Sequence, residues 1–320
     1  MALVVDRRRA LVLRALGLGD LLTVVPALRA IGAALPDDRL VLATPHALHG
    51  LAKLIDAVDE VLDACELEPV PWPGPPPDVA VNLHGRGPQS HLVLRALHPR
   101  RLVGFASADA DVDGPEWRAD EHEGHRWCRL VDEGLGGACD PGALDLAMPA
   151  EEPPAYGAVV IHPGAAYPSR RWPPERFAAV ASHLTRRGLA VVVTGSLAEQ
   201  PLAAEVAARA GLPVESVVAG RTNIEELAAL VAHARLVVCG DTGMAHLATA
   251  YRTPSVVLFG PVSPALWGPP PRPQHVVLWN GTSSGDAWGA EIDRALLAIG
   301  VDDVVMACDE LVATPELRRQ

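Results

Sequence analysis

The chain has 320 residues, of which 49% are hydrophobic, and a formal net charge of -12. This length suits two domains of about 150 residues, each with a hydrophobic core of its own. The acidic balance argues against nucleic acid as the main partner, because basic surfaces bind phosphate backbones. A local basic pocket for a small phosphate ligand remains compatible with it.

The amino-terminal segment "MALVVDRRRALVLRAL" carries no small-residue cleavage site of a secretory signal, and no apolar run approaches the ~18 residues of a membrane span. The five cysteines are scattered and form no CxxC pair, which predicts free thiols in a reducing compartment: Cys65, Cys128, Cys139, Cys239 and Cys308. We therefore expect a cytoplasmic protein.

Apolar runs of strand length alternate with segments of helical period in both halves of the chain. The first half predicts strands over 10–14, 39–43, 78–83 and 102–105, and helices over 21–33, 47–55, 89–97 and 124–133. The second half predicts strands over 158–162, 190–194, 236–240, 255–259 and 275–279, and helices over 174–187, 197–210, 224–234 and 243–250. Gly188 is placed to follow one helix, and Thr222 with Glu225 to cap another. The alternation predicts two parallel-sheet α/β domains.

The acidic, proline-rich segment "AEEPPAYG" at residues 150–157 marks the domain boundary, which gives domains over 1–152 and 153–300. In open parallel sheets, ligands bind outside the carboxyl ends of the strands. The loops that follow strands, in a cleft between the two domains, are therefore the candidate site.

The first such loop, "GLGD", resembles a phosphate-binding turn but fails its pattern. Gly17 and Gly19 give G-x-G, but Leu22 stands where the third glycine belongs, and no GK[ST] follows. Asp20 would also repel an anion at the helix entrance. Two interpretations remain: Asp20 caps the helix, or it is a general base at the end of a strand.

A second loop, in "VVCGDTGMAHLATA", predicts an anion site at a helix start. Asp241, Thr242 and Gly243 follow a strand, and the backbone N–H groups of the first helical turn favour a negative ligand. His246 lies four residues after Thr242, on the same helix face. The set suits a ligand with sugar hydroxyls and a phosphate; the alternative is an aspartate cap with a structural histidine.

Two further loops follow strands of the second half. Arg170 and Arg171 in "IHPGAAYPSRRWPPERF" form a candidate phosphate clamp, or else a solvated pair. Glu199 in "VTGSLAEQ" could accept a hydrogen bond from a ribose hydroxyl, or be an ordinary acid in a first helical turn. "EHEGHRWC" spaces His122, His125 and Cys128 by three residues but lacks a fourth zinc ligand, so we expect no metal there.

Three segments together resemble glycosyltransferase family 9, the heptosyltransferases of bacterial surface glycan synthesis. They are "LVLRALGLGDLLTVVPALRAI", "HPGAAYPSRRWPPERF" and "GDTGMAHLATAYRTPSVVLFGPVSPALWGP", in this order. The last is the most specific, because it combines D-T-G-x-x-H with T-P and F-G-P-x-x-P.

The resemblance implies a GT-B fold, in which two Rossmann-like domains face each other across a cleft. The N-terminal domain would bind the acceptor, with Gly17 and Gly19 in the acceptor-side loop, and the C-terminal domain the nucleotide sugar. The family's catalytic acid falls on Asp20, and its basic residue before W-P falls on Arg170, where many relatives carry lysine. A final helix within 301–320, "VDDVVMACDELV", would cross back to the first domain.

The implied activity is that of an inverting, metal-independent glycosyltransferase that moves a heptose from ADP-heptose to a hydroxyl of a glycan, lipid-linked or small acceptor, in transient contact with the inner membrane surface. No cofactor beyond the nucleotide-sugar substrate is expected. The alternatives are a transferase with another nucleotide sugar and a GT-B-like protein that binds nucleotide or sugar without chemistry. A sugar epimerase and a nicotinamide dehydrogenase fit the motifs less well.

Overall fold

Contacts along the chain divide it into two units, Met1–Ala147 and Met148–Gln320. The structure, a computed structural model, describes residues 8–314. The division falls shortly before the proline-rich segment in which the sequence predicts the boundary, after Ala147 rather than after residue 152.

The first unit contains a five-stranded sheet in the order β3-β2-β1-β4-β5, in which every pairing is parallel. The strands are β1 (Arg8–Leu13), β2 (Asp38–Thr44), β3 (Glu60–Asp63), β4 (Val79–Asn82) and β5 (Arg101–Val103). The sequence did not predict β3, because this edge strand is short and only half-buried. Parallel pairing places the carboxyl ends of all five strands at one edge of the sheet.

The helices of the first unit are α1 (Leu18–Thr23), α2 (Val25–Ala34), α3 (His49–Ala52), α4 (Gln89–Arg95) and α5 (Glu123–Leu135). The sequence predicts one helix over 21–33, whereas the structure has α1 and α2 with a break at Val24. Pro26 explains the break, since it has no N–H to donate to the preceding turn and is tolerated only where a helix begins.

The second unit repeats the architecture with a parallel sheet in the order β10-β9-β8-β6-β7. Its strands are β6 (Val159–His162), β7 (Val191–Val193), β8 (Leu236–Gly240), β9 (Ser255–Leu258) and β10 (His275–Leu278). The continuous apolar runs of this sheet are buried, as a sheet covered on both faces requires. The α/β class and the two parallel sheets are confirmed.

The helices of the second unit are α6 (Pro174–Arg186), α7 (Gln200–Ala210), α8 (Ile224–Ala232), α9 (Gly243–Ala250), α10 (Pro264–Trp267), α11 (Arg294–Leu297) and α12 (Val301–Ala313). Gly188 follows α6 with a φ of 79°, as predicted. The capping box of α8 lies one residue later than predicted: Asn223 Oδ1 accepts the Glu226 N–H at 2.8 Å, and Glu226 Oε2 accepts the Asn223 N–H at 2.9 Å. Within residues 8–314, none of the helices has the length and apolar character needed to span a bilayer.

Helix α12 packs on the second unit. Val304, Cys308 and Leu311 are buried in the core of that unit, and α12 contacts α6 and the strands β8, β9 and β10. The expectation that this helix crosses to the first unit is therefore wrong for Val301–Ala313, because its apolar face is already covered by its own sheet. Residues 315–320 lie outside the described part of the chain.

The cysteine prediction needs one correction. Cys128 in α5 and Cys139, which follows that helix, form a disulfide, with Cα atoms 5.2 Å apart. The chain folds back after α5, and the Cys139 N–H donates to Asp132 Oδ1 at 2.8 Å. The sequence does not predict this pairing, because the two cysteines are 11 residues apart and belong to no recognised motif. The other cysteines are free thiols, Cys65 exposed and Cys239 and Cys308 buried.

Candidate functional site

Asp20 lies in the first turn of α1, the helix that follows β1. Helix α1 begins after Gly17, so Asp20 is its third residue and caps the helix from that position rather than as the N-cap itself. Its Oδ2 accepts the Gly17 N–H at 3.2 Å, and its Oδ1 accepts from Arg14 Nη2 at 3.2 Å. The side chain is still 31% exposed, so a ligand can reach the carboxylate.

Arg14 connects Asp20 to the rest of the first unit. Its side chain is 1% exposed, and its Nε donates to the Asp20 carbonyl at 2.9 Å. Nη1 donates to the Leu83 carbonyl at 2.6 Å, and Nη2 to Glu123 Oε1 at 3.0 Å. The guanidinium also lies 4.9 Å from the ring centroid of Trp127. The sequence carries no signal for Arg14, because this residue ends an apolar run and its partners Leu83 and Glu123 come from distant segments.

The surroundings of Asp20 raise the pKa of its carboxyl group. Burial is the largest cause, the charge of Glu123 adds to it, and Arg14 and the Gly17 N–H oppose it. A carboxylate with a raised pKa is a stronger base than an ordinary surface aspartate. Asp20 thus combines access, fixed orientation and enhanced basicity.

His84 lies beyond the end of β4, the strand next to β1. Its Nδ1 is 3.3 Å from the Ala15 N–H, which can only donate. Burial, with the charge of Arg14, lowers the pKa of His84 to about 4. The ring is therefore neutral at physiological pH, and the hydrogen bond assigns its proton to Nε2. His84 was not predicted, because a single histidine after a strand is too weak a signal in a sequence.

Gly17 and Gly19 shape the turn in front of Asp20. Gly17 is the extended N-cap of α1, with φ -75° and ψ 177°, and Gly19 is the second residue of the helix. Gly17 is exposed and Gly19 half-buried. Their place in an acceptor-binding loop stays a prediction.

In the second unit, Asp241 and Thr242 lie between the end of β8 and the start of α9. Thr242 is the N-cap, and its Oγ1 accepts the Met244 N–H at 3.4 Å. The aspartate-cap alternative is therefore wrong: Asp241 is buried, and its carboxylate contacts Arg170 instead. Gly243 is the first residue of α9, so its amide belongs to the helical turn in which the sequence predicts an anion site.

Arg170 and Asp241 form an ion pair, with Nη2 2.9 Å from Oδ2. The same Nη2 donates to the Asp241 carbonyl oxygen. Burial raises the pKa of Asp241, and Arg170 opposes this rise. The Nε atom of Arg170 is buried and has no hydrogen-bond partner within residues 8–314. A buried donor without a protein partner is the kind of group that a ligand oxygen satisfies.

Glu199 and Arg171 lie near each other beyond the ends of β7 and β6. Glu199 Oε2 accepts from the Ser196 N–H at 2.8 Å and from Ser196 Oγ at 2.9 Å, so it is the first-turn acid that the alternative described. Burial raises its pKa, but the Ser196 hydrogen bonds, His162 and Arg171 outweigh that effect and lower it. Arg171 Nε donates to the Ala165 carbonyl at 2.8 Å.

Strands β8, β6 and β7 are neighbours in the sheet, so all these loops meet at one edge. This edge also carries His246 on α9, whose ring lies edge-on to Trp267 with centroids 6.0 Å apart. A donor-binding role for any of these side chains stays a prediction.

The zinc alternative at "EHEGHRWC" fails on geometry. Cys128 is in the disulfide with Cys139, so its thiolate is not available as a ligand. His122 Nδ1 accepts the Gly124 N–H at 3.2 Å and caps α5.

The family model that matches the chain is glycosyltransferase family 9 (heptosyltransferase), over residues 142–287. Lipooligosaccharide heptosyltransferase 2 of Haemophilus influenzae is 38% identical over 108 residues, which is 32% of this chain and 31% of that protein. Lipopolysaccharide heptosyltransferase 3 of Escherichia coli is 33% identical over 159 residues, 48% of this chain and 46% of the relative. The matched segments thus span less than half the length of these curated relatives.

Similarity in fold covers more of the chain than similarity in sequence does. The structure of E. coli ADP-heptose heptosyltransferase II superposes with a TM-score of 0.76 at 20% identity, over 96% of this chain and 99% of that one. E. coli heptosyltransferase WaaC with ADP gives 0.70 at 18% identity, over 95% and 99%. The GT-B fold class is confirmed. Residues 142–287 are thus similar to glycosyltransferase family 9, and the fold of the whole described chain is that of the solved heptosyltransferases.

Proposed function

We propose that the protein is an inverting glycosyltransferase that transfers a sugar from a nucleoside diphosphate sugar to a hydroxyl acceptor. The observation that carries the proposal is Asp20, an accessible carboxylate with a raised pKa at the carboxyl edge of the first sheet. The family match, outside this loop, supports the same reaction class.

In the proposed step, an acceptor hydroxyl attacks the anomeric carbon of the donor while its proton passes to Asp20. The bond from the anomeric carbon to the diphosphate oxygen breaks, and the nucleoside diphosphate leaves with the electron pair. Attack from the face opposite the leaving group inverts the anomeric centre.

The leaving diphosphate needs stabilisation where its charge develops. We assign this role to Arg170, Arg171 and the first-turn amides of α9 at Thr242 and Gly243. The unsatisfied Nε of Arg170 supports the assignment. Asp241 and His246 would bind sugar or phosphate groups, and Glu199 a ribose hydroxyl. With cationic side chains and a helix N-terminus in this position, we propose that transfer needs no metal ion.

We propose ADP-heptose as the donor. Two of the solved relatives are described with ADP or ADP-heptose in their titles. The acceptor would be a glycan, a lipid-linked sugar or a small molecule, reached in the cytoplasm or at the inner membrane surface. A thermal-shift comparison of ADP-, UDP-, GDP- and dTDP-sugars tests the donor, and the largest stabilisation is expected with ADP-heptose.

Asp20→Asn tests the reaction. Asparagine keeps the size and one acceptor oxygen but cannot take a proton, so turnover should fall by about 10²–10⁴-fold. ADP affinity, measured by calorimetry, should not change. Asp37→Asn, at an exposed acid, is the control. Normal turnover by Asp20→Asn would show that Asp20 is structural. Binding of ADP by the parent, without release of ADP from ADP-heptose in the presence of any acceptor, would favour the binding-protein alternative.

A further inference from the structure

Two histidines and an aspartate converge at the edge of the first unit, where β2 and β3 end. His46 and His49 follow β2 on one short helical segment, and Asp63 is the last residue of β3. One ligand atom from each side chain lies within 4.8 Å of the other two. The proposed transfer uses none of these residues.

Thr44, at the end of β2, anchors the cluster. It is in register with Asp63 across the β2–β3 pair, and its carbonyl oxygen accepts the Ala64 N–H at 3.1 Å. The same carbonyl lies 3.2 Å from His49 Nε2, and this nitrogen gives up that contact when it binds a cation, with the ring proton then on Nδ1. The register of β2 and β3 therefore places Asp63 beside the segment that carries the two histidines.

The spacing of the donor atoms suits a small cation. The His46 and His49 ring centroids are 4.9 Å apart, and His49 Nε2 is 3.9 Å from Asp63 Oδ1. Zinc bonds of about 2.0–2.1 Å in a tetrahedron put ligand atoms about 3.3 Å apart. His46 and Asp63 are exposed, so small side-chain rotations can close the remaining gap.

The charges also favour a cation. Within residues 8–314, Asp63 forms no ion pair with arginine or lysine, and His49 is its charged neighbour only when protonated. Imidazole and carboxylate together select zinc-like divalent ions rather than magnesium or calcium, which prefer oxygen ligands alone.

A second histidine pair serves as an internal comparison. His122 and His125 have the same spacing, with ring centroids 5.1 Å apart. Within the described residues, however, the only group of three or more metal-ligating side chains is the one at His46, His49 and Asp63. The third ligand therefore distinguishes the two pairs.

We propose that His46, His49 and Asp63 bind one divalent transition-metal ion of the zinc class. Three protein ligands leave a coordination position for water or for an oxygen of a bound molecule. The site lies at the same edge of the first sheet as the Asp20 turn, two strands away in the order β3-β2-β1. It is separate from the proposed donor-binding residues, which belong to the second unit.

Calorimetric titration of the chelator-treated full chain with Zn²⁺ tests the proposal. We expect one site, whose affinity falls by more than about 10-fold in each of His46→Ala, His49→Ala and Asp63→Asn. His125→Ala, from the comparison pair, should bind as the parent does. Circular dichroism confirms that the variants fold. Equal affinity of the parent and Asp63→Asn would overturn the proposal.

Cobalt substitution adds a spectroscopic test that needs no sugar nucleotide, so its result is independent of the transferase proposal. Co²⁺ bound by two imidazoles and a carboxylate should give visible d–d absorption that Asp63→Asn abolishes and Cys65→Ser preserves. Cys65 is exposed two residues after Asp63 and is the nearest competing ligand in sequence. A thiolate charge-transfer band that Cys65→Ser removes would overturn the assignment.

Discussion

At the scale of single residues, burial is the largest cause of the raised pKa of Asp20, and two charged side chains modify it in opposite directions. Glu123 raises the pKa of Asp20 and Arg14 lowers it, and the two bind each other at 3.0 Å. In the proposed transfer, Asp20 acts as a base only when deprotonated, so its pKa would set the acidic limb of the activity profile. Under the proposed function, Glu123, which lies 109 positions from Arg14 in the sequence, should therefore influence the pH range of the reaction.

Glu123→Gln should therefore shift the acidic limb of kcat/KM to lower pH. Removal of the Glu123 charge removes one cause of the raised pKa, and Arg14 then pairs with Asp20 alone, which acts in the same direction. Glutamine still offers an acceptor to Trp127 Nε1, which donates to Glu123 at 2.8 Å. The measurement is kcat/KM against pH for the parent and the variant. Glu133→Gln, at an exposed position of the same helix, should leave the limb in place, and a shift of Glu123→Gln to higher pH would contradict the explanation.

Residues were predictable where the loop itself carries the signal. Asp20, Arg170 and Asp241 each stand in a loop after a strand, and the sequence singles them out on that ground. The pairing of Arg170 with Asp241 joins residues 71 positions apart, and Arg14 reaches Glu123 over 109 positions. Tertiary packing determines which of these distant residues become partners, so no local sequence pattern predicts the pairs. The cluster of His46, His49 and Asp63 was not predicted either, because tertiary packing brings these residues together.

At the scale of elements, two glycines inside helices have different surroundings. A Cβ at Gly32 in α2 would lie 3.6 Å from the Ala57 Cβ, an ordinary contact. A Cβ at Gly134 in α5 would lie 2.6 Å from Val103 Cγ1, so Gly134 permits α5 to approach β5 closely. Secondary structure was predictable where helices are long, and failed where a proline divides a helix or an edge strand is short.

Gly32→Ala should stabilise the protein by about 0.5–1 kcal/mol, because alanine loses less backbone entropy than glycine on helix formation. Gly134→Ala is the matched comparison and should destabilise by about 1–3 kcal/mol through overpacking against Val103. Thermal and urea unfolding measure both changes. If Gly32→Ala lost as much stability as Gly134→Ala, the space around each helix would not decide whether alanine stabilises or destabilises the protein.

At the scale of the whole molecule, the two sheets present different chemistry at their carboxyl edges. The first presents the Asp20 carboxylate, and the second presents Arg170 and the start of α9. The alternation of strands and helices predicted two such sheets from the sequence. It could not predict that α12 stays on the second unit, because an amphipathic helix does not specify which sheet covers it.

Hydrogen exchange of the full chain with saturating ADP tests the proposal that the second unit, and not the first, binds the nucleotide. Ligand binding slows exchange where it stabilises the folded state. We expect slower exchange in peptides that cover residues 162–171 and 241–250, and unchanged exchange in those that cover 14–23. The last group is the internal control. Protection confined to 14–23 would place the nucleotide on the first unit and contradict the proposal.

The buried guanidinium of Arg14 has a consequence for engineering. It joins the carbonyls of Asp20 and Leu83 and the carboxylate of Glu123, which belong to three separate segments of the first unit. These hydrogen bonds hold the Asp20 turn in place, so a change in any of the partners would move the carboxylate. Under the proposed function, variant libraries that seek a new acceptor should keep Arg14, Asp20, Leu83 and Glu123 unchanged. They should vary exposed loop positions instead, because changes there leave the position of the Asp20 carboxylate unaltered.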